Sequence, residues 1–161
     1  MLRHGTLQSY CRTPRLYLFF LLQKVIINIL IFKGCDTMRL NPDCIRDILF
    51  FVEENTSHNI IIRVHNDSQD ILPQYDKEEL FYHINQCVMG NLIVGEVYSN
   101  SSVIKYLTPN GHTFLENIRQ ATTWNKVKNQ AKQIGSFSLQ ALFQISTIII
   151  SEAIKKHSNL L

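Results

Sequence analysis

Three polar side chains fall on one exposed arc of a predicted helix and have the chemistry of a DNA reader. Advancing by about 100° per residue places Tyr82, Asn85 and Gln86 on that arc. Asparagine and glutamine amides can each make two hydrogen bonds to adenine, and a tyrosine hydroxyl can reach a phosphate or sugar. Glu78 and Glu79 lie in the first turn of the same helix, where their carboxylates repel phosphates. The arc therefore supports base contacts but provides little attraction to the backbone of DNA.

The basic residues that could provide that attraction lie later in the chain. The predicted hairpin after this helix carries Lys105 on its return strand and has the uncharged tip Ser-Asn-Ser-Ser. No acidic residue lies between Glu116 and Glu152, and Lys128 and Lys132 share one helix face there. That face suits a phosphate backbone, and it equally suits an ordinary solvated helix. The candidate DNA contacts are Tyr82, Asn85, Gln86, Lys105, Arg119, Lys126, Lys128 and Lys132.

The sequence contains no pattern typical of catalysis or of metal binding. Its four cysteines have no CxxC or CxxH spacing, and Cys44 and Cys87 fall on apolar helix faces, as reduced core thiols do. No nucleophile–base pair and no pair of carboxylates has a suitable spacing. His83 flanks the core side of its helix and is predicted to be a hydrogen-bonded structural histidine. We therefore expect no enzyme activity, no metal and no cofactor.

Capping signals and apolar spacing predict the first elements of the fold. A helix begins at Pro42, after the N-cap Asn41, and ends near Asn55. Its apolar residues recur at i, i+3, i+4 and i+7, which marks one buried face. The β-branched run Asn59–Val64 then predicts a short strand.

The second helix, which carries the DNA-reader arc, has a complete start signature. Asp76 is its N-cap, and Glu79 three residues later predicts a capping box. Gly90 or Asn91 is expected to end it in a left-handed conformation. The segments LIVGEVY and SVIKYL follow, joined by a short polar turn, and together they predict a β-hairpin.

Three further helices are predicted after the hairpin. Thr108 and Pro109 start the first, in which Gly111 marks either a close backbone approach or a simple irregularity of the helix start. Trp124 begins the buried stripe of the next helix, which Gly135 ends. Ser136 or Ser138 opens a last helix that runs to about Lys156.

The order helix, strand, helix, hairpin, helix predicts an α+β fold of the winged helix-turn-helix type, with additional C-terminal helices. In that arrangement the helix before the hairpin is the recognition helix, and the hairpin is the wing. We expect a winged-helix-like domain over residues 38–121 and a C-terminal helical extension over residues 122–161, which packs on the domain or mediates dimerisation.

Three stretches resemble one known family: LNPDCIRDILFFVEE, YDKEELFYHINQCVMGNLI and LTPNGHTFLENIRQATTWNKVKNQAKQIGSFSL. They are similar to the bacterial and prophage family catalogued as domain of unknown function 2513. The resemblance begins at Met38 and runs to about residue 156. It implies a winged-helix-like fold and a frequent location in mobile elements, and it brings no catalytic residues with it.

Residues 1–37 differ from the rest of the chain. They contain five basic residues and one acidic residue, whereas residues 38–161 contain eleven basic and twelve acidic residues. Their apolar run is interrupted by Gln23, Lys24 and Asn28, which disfavours a membrane span or a signal peptide. The residues Lys33–Thr37 can be encoded by a purine-rich ribosome-binding site ahead of Met38. We expect Met38 to be the true start and residues 1–37 to lie outside the fold, in which case no membrane partner is expected.

The last predicted helix is apolar over about half of its circumference, from Leu139 to Ile154. One small domain cannot bury such a face, so we expect a homodimer through this helix. The leading hypothesis is a cytoplasmic prophage or mobile-element regulator that binds duplex DNA. The alternative is a winged-helix-like interaction module that binds a host or phage protein and no DNA, which the acidic first turn of the second helix favours.

Overall fold

The computed structural model describes residues 38–65 and 71–159. Within them lie α1 (Pro42–Asn55), β1 (Ile62–His65), α2 (Lys77–Met89), β2 (Ile93–Val97), β3 (Ser101–Leu107), α3 (Pro109–Ile118), α4 (Ala121–Ile134) and α5 (Leu139–Ser158). This mixture of helices and a small sheet confirms the predicted α+β class. The expectation for residues 1–37 falls outside the described residues.

The three strands form one antiparallel sheet in the order β1–β3–β2, with β3 in the centre. Ile62 lies opposite Ile104 in the first pair, and Ile93 lies opposite Leu107 in the second. The register between β2 and β3 shifts at Val94 and Gly95, as expected for a β-bulge. The predicted hairpin is confirmed.

The first strand begins later than the apolar pattern predicts. The structure places β1 at Ile62–His65, whereas the β-branched run predicted a strand over Asn59–Val64. Ser57 and Ile60 exchange two backbone hydrogen bonds of 3.2 and 3.1 Å, which close a tight turn. The chain must complete this turn before it can pair with β3, so Ile60 is left outside the sheet and is 57% exposed.

One hydrophobic core joins the helices to the sheet. Its largest fully buried side chains come from α1, α2, β2, β3, α3 and α5: Ile45, Ile48, Leu49, Ile84, Ile93, Ile104, Phe114, Leu115, Ile118 and Leu142. Trp124 of α4 is also buried, as its spacing predicted. Cys44 and Cys87 are buried free thiols within the same core.

The second helix begins differently in detail from the prediction, and it ends as predicted. The Asp76 carboxylate accepts from the Glu78 N–H at 3.1 Å, but Glu79 forms no part of a capping box, because its carboxylate accepts from the Asn41 side-chain amide. Asn91 takes the left-handed conformation, with φ at 54°, while Gly90 does not. A Cβ at Gly90 would overlap Leu139 at the start of α5. The glycine therefore provides space rather than backbone freedom.

The predicted starts and ends of the later helices are confirmed. The Thr108 hydroxyl accepts from the Gly111 N–H at 2.9 Å, and the Ser138 hydroxyl accepts from the Ala141 N–H at 3.2 Å. Gly135 ends α4 with φ at 77°. In the described part of the chain, none of the helices combines the length and the apolar character that crossing a membrane requires.

Gly111 lies in the first turn of α3, where this helix passes close to Leu92, the residue before β2. The Thr108 N–H donates to the Leu92 carbonyl oxygen at 2.9 Å, which holds the start of α3 against the residue before β2. A Cβ at Gly111 would overlap that same carbonyl oxygen. The close backbone approach suggested by the sequence is therefore confirmed, and it fixes α3 against the base of the hairpin.

Gly111→Ala is expected to lower the free energy of unfolding by about 1–3 kcal/mol, because the overlap with backbone outweighs the better helix propensity of alanine. Urea unfolding followed by circular dichroism measures the change. Thr113→Ala, on the exposed face of the same helix, should change stability by less than about 0.5 kcal/mol. Equal stability of Gly111→Ala and wild type would contradict the close approach.

Candidate functional site

A groove of about 660 Å³ lies between α2 and the outer end of the β2–β3 hairpin. From here on it is called the α2–hairpin groove. Its lining residues are Met38, then Lys77, Glu78, Phe81, Tyr82 and Asn85 on α2, and Val97, Tyr98 and Ser99 at the hairpin end. It brings together one positive and one negative side chain with several apolar and aromatic ones.

Two of the three residues predicted to read bases lie in this groove. Tyr82 and Asn85 line it side by side with Phe81. Gln86 does not, because it faces a separate depression that it shares with Met89 and the start of α5. Sequence spacing placed the three residues on one arc, but the arc is wide enough to face two different neighbours.

Lys105 is held by a polar network on the hairpin. Its ammonium donates to Glu96 at 2.8 Å, and the Tyr98 hydroxyl donates to the other oxygen of the same carboxylate. Hydrogen bonds from Lys105 and Tyr98 lower the pKa of Glu96, and the hydrogen bond to Glu96 raises the pKa of Lys105. The positive charge predicted for the wing is therefore balanced by a neighbouring carboxylate.

Arg119 is committed to contacts within the domain. Its guanidinium donates to both oxygens of Glu53 at 2.8 and 2.9 Å and also contacts Glu116 at 2.6 Å. The hydrogen bonds with Glu116 and Glu53 raise its pKa. The guanidinium also lies 5.5 Å from the centre of the Phe50 ring. A phosphate would have to displace two carboxylates to reach it.

Lys128 joins α4 to the first turn of α1. Its ammonium donates to the two carboxylate oxygens of Asp43 at 2.8 and 2.9 Å, and the Trp124 indole N–H donates to the same carboxylate at 2.6 Å. Burial raises the pKa of Asp43, but the hydrogen bonds from Lys128 and Trp124 outweigh it and the pKa lies below its usual value. The predicted shared basic face of Lys128 and Lys132 is thus half neutralised.

Lys126 and Lys132 are the remaining basic candidates. Both side chains are exposed on α4, and neither makes an ion pair with any residue in the described ranges. Of the five basic candidates, these two alone keep their charge available to a partner.

A buried polar cluster joins α1 to α2. The His83 ring, 1% exposed, accepts from the Asn41 backbone N–H at Nε2 over 2.7 Å. Its Nδ1 is 2.6 Å from the Glu79 carbonyl oxygen. A carbonyl can only accept and an amide N–H can only donate, so the ring is neutral with its proton on Nδ1. The predicted structural histidine is confirmed.

The same cluster has the composition of a metal site. Within residues 38–65 and 71–159, Cys44, Glu79 and His83 form the one group of three whose donor atoms converge, all within 4.8 Å of one another. Both ring nitrogens of His83 are already used by the backbone, and burial raises the pKa of Cys44 to about 12. To bind a metal, a histidine needs a nitrogen with a free lone pair and a cysteine must be a thiolate. The residues therefore fit a structural network rather than a metal.

Sequence reasoning missed most of the groove. Met38 was considered only as the expected start, Phe81 was placed on the buried arc of its helix, and Val97 and Tyr98 were assigned only to the predicted hairpin. Asp43 was given no role beyond the first turn of its helix. The exposed Tyr98 beside a polar turn was the one available signal for the groove. The contact between Asp43 and α4 joins residues that are more than eighty positions apart, so no local pattern could reveal it.

Asp43→Asn is expected to lower the free energy of unfolding by about 1 kcal/mol at neutral pH, because the pair with Lys128 is partly exposed. The folded pKa lies below the usual 3.8, so the stabilisation is present above that value and is lost as the pH falls through the folded pKa. Fluorescence of Trp124, the single tryptophan, follows unfolding at each pH. Glu54→Gln is the exposed control. A difference between variant and wild type that is unchanged at low pH would contradict the pairing.

His83→Leu is expected to lower the free energy of unfolding by about 1–3 kcal/mol, because it leaves the buried Asn41 N–H without a partner and removes the side-chain hydrogen bond to the Glu79 carbonyl. His112→Leu, at an exposed position on α3, should have little effect. A chelator should leave the wild-type unfolding midpoint unchanged. A midpoint lowered by chelation would show instead that the cluster holds a metal.

The comparisons with known proteins agree with the resemblance seen in the sequence. Residues 39–138 match the family model described as "Hypothetical protein (DUF2513)". The chain is also similar to an uncharacterised protein of Haemophilus influenzae (strain ATCC 51907 / DSM 11121 / KW20 / Rd), with 31% identity over 124 residues, which cover 71% of this chain and 98% of that protein. No solved structure matches the chain.

The match to the family model contains α1 through α4, the three strands and every lining residue of the α2–hairpin groove except Met38, and it ends directly before α5. The chain therefore belongs to the family catalogued as domain of unknown function 2513.

Proposed function

We propose that the chain is a winged-helix-like, non-catalytic binding module that takes a protein segment in the α2–hairpin groove. The order α1, β1, α2, β2, β3 and the sheet order β1–β3–β2 support the winged-helix part of the proposal. Residues 72–75 form a turn in which the Tyr75 N–H donates to the Leu72 carbonyl oxygen. This turn occupies the position of the second helix in a winged-helix domain that has three helices. In this arrangement α2 takes the place of the recognition helix.

The composition of the groove is the observation that carries the proposal. Phe81, Val97 and Tyr98 are partly or largely exposed and line one concave surface together with Met38. Aromatic side chains and methionine are enriched where proteins bind one another, and they dominate the binding energy when a partner buries them. The groove is also nearly balanced in charge, with Lys77 and Glu78 adjacent on α2. Such a surface suits a partner segment with apolar or aromatic side chains.

The charge distribution argues against duplex DNA as the first choice. Phosphate contacts with lysine and arginine provide nearly all of the non-specific affinity for DNA. Lys105, Arg119 and Lys128 are each paired with a carboxylate inside the domain. Binding a phosphate would require breaking those ion pairs, which costs free energy. These three predicted DNA contacts therefore contribute little to the affinity for DNA.

A DNA-binding regulator of a prophage or mobile element is the second candidate. Tyr82 and Asn85 lie in the groove, where a recognition helix would present them to bases. Among the described residues, Lys126 and Lys132 on α4 have no ion-pair partner. Either function suits the cytoplasm, where reduced thiols such as Cys44 and Cys87 persist.

The test of the protein-binding proposal uses the full chain as bait for a random peptide library displayed on phage. Selected peptides should contain apolar or aromatic residues, and Tyr98→Ala should weaken their binding by about tenfold or more, the loss typical of a buried aromatic anchor. Tyr106→Ala is the matched control, because Tyr106 is 53% exposed and Tyr98 54%, and Tyr106 lies outside the groove. Fluorescence anisotropy of labelled peptides measures both variants.

The same preparation is then applied to mixed duplex DNA fragments at low and moderate salt. The proposal expects no retention at moderate salt. The proposal would be wrong if DNA were retained, if retention fell steeply as the salt concentration rose, and if the double variant Lys126→Glu/Lys132→Glu abolished it. This result would show that the partner is DNA and not a protein segment. Failure to select any peptide, or peptides that bind Tyr98→Ala as well as wild type, would overturn the groove as a protein site.

A further inference from the structure

The α2–hairpin groove borders a free edge of the sheet. In the order β1–β3–β2, strand β2 pairs with β3 on one side only. Val97, at the end of β2, lines the groove, and the described lining residues include none from β1, the other edge strand. Within the described ranges, no backbone group outside β3 forms a hydrogen bond with Gly95, Glu96 or Val97. This side of β2 can therefore accept another strand.

The pairing of β2 with β3 determines which backbone groups point to the free edge. The Tyr98 N–H donates to the Ser101 carbonyl oxygen at 2.8 Å, so these two residues form a hydrogen-bonded pair at the hairpin end. Hydrogen-bonded and non-hydrogen-bonded pairs alternate along an antiparallel ladder, which places Val97 and Gly95 at non-hydrogen-bonded positions. Their N–H and C=O groups therefore point away from β3, towards the free edge.

The opposite wall of the groove has the length of a short extended segment. On α2 the lining residues run from Lys77 to Asn85, which corresponds to about 12 Å at 1.5 Å per residue. An extended chain rises about 3.3 Å per residue, so about four of its residues fit along this wall. Side chains of a strand alternate between its two faces, so every second side chain would point towards Phe81 and Tyr82 on α2.

We propose that the partner segment binds in the α2–hairpin groove as an added strand along the free edge of β2. Its backbone forms hydrogen bonds with the N–H and C=O groups of Gly95 and Val97, and its alternate side chains pack against Phe81 and Tyr82. In this mode of recognition the backbone hydrogen bonds provide affinity, and the contacts of alternate side chains provide specificity. The inference rests on the proposed function and adds to it the conformation of the partner.

Synthetic copies of the peptides that the full chain selects from the phage library test the conformation of the segment. Their apolar or aromatic residues should recur at every second position. N-methylation of single backbone amides, measured by fluorescence anisotropy against the unmethylated peptide, should weaken binding by about tenfold or more at alternate positions only. Apolar residues three or four positions apart, or tolerance of N-methylation at every position, would overturn the added strand and leave the groove as a protein site. Failure to select any peptide would overturn both.

Val97→Pro tests the same hydrogen bonds from the side of the chain. Proline removes the N–H that points to the free edge and breaks no hydrogen bond to β3, so an edge strand tolerates it there. Val97→Ala is the matched control, because it shortens the same side chain and keeps the N–H. Val97→Pro should bind the selected peptides about fivefold or more weakly than Val97→Ala.

Circular dichroism establishes that both variants are folded. Equal affinity of two folded variants for the peptides would overturn the added strand. If Val97→Pro does not fold, the series of N-methylated peptides decides the question, since it uses the unaltered chain.

Discussion

The first turn of α1 is the constraint on which the arrangement of the domain depends. A helix start leaves backbone N–H groups without partners inside the helix, and here the Asn41 side chain accepts from two of them. The backbone N–H of Asn41 donates to His83, and its side-chain amide donates to Glu79, both on α2. The Asp43 carboxylate binds Trp124 and Lys128 on α4. The first turn of α1 therefore fixes the positions of α1, α2 and α4 relative to one another.

The position of the α2–hairpin groove depends on these contacts between α1 and α2. The contacts of Asn41 fix the angle of α2, and α2 presents Phe81, Tyr82 and Asn85 towards the end of the hairpin. Met38, three residues before the cap, is carried to the same groove.

The same packing pairs Lys128 with Asp43, and Arg119 with two glutamates. These ion pairs within the domain neutralise basic side chains that would otherwise be available at the surface. As a result, the groove is lined by more apolar and aromatic side chains than basic ones. Apart from Met38, the lining residues of the α2–hairpin groove lie within the residues that match the family, whereas α5 begins directly after that match ends.

The sequence by itself determined the local elements, because caps, glycines and apolar spacing act over a few residues. Asn41, Thr108, Gly135 and Ser138 mark boundaries that the structure keeps. Only the tertiary structure decided which polar groups remain available. Lys128 meets Asp43 across 85 positions, and Arg119 meets Glu53 across 66. Such ion pairs depend on how the helices pack against one another, and local residue spacing does not encode that packing. The basic candidates could therefore be found in the sequence, but the carboxylates that neutralise them could not.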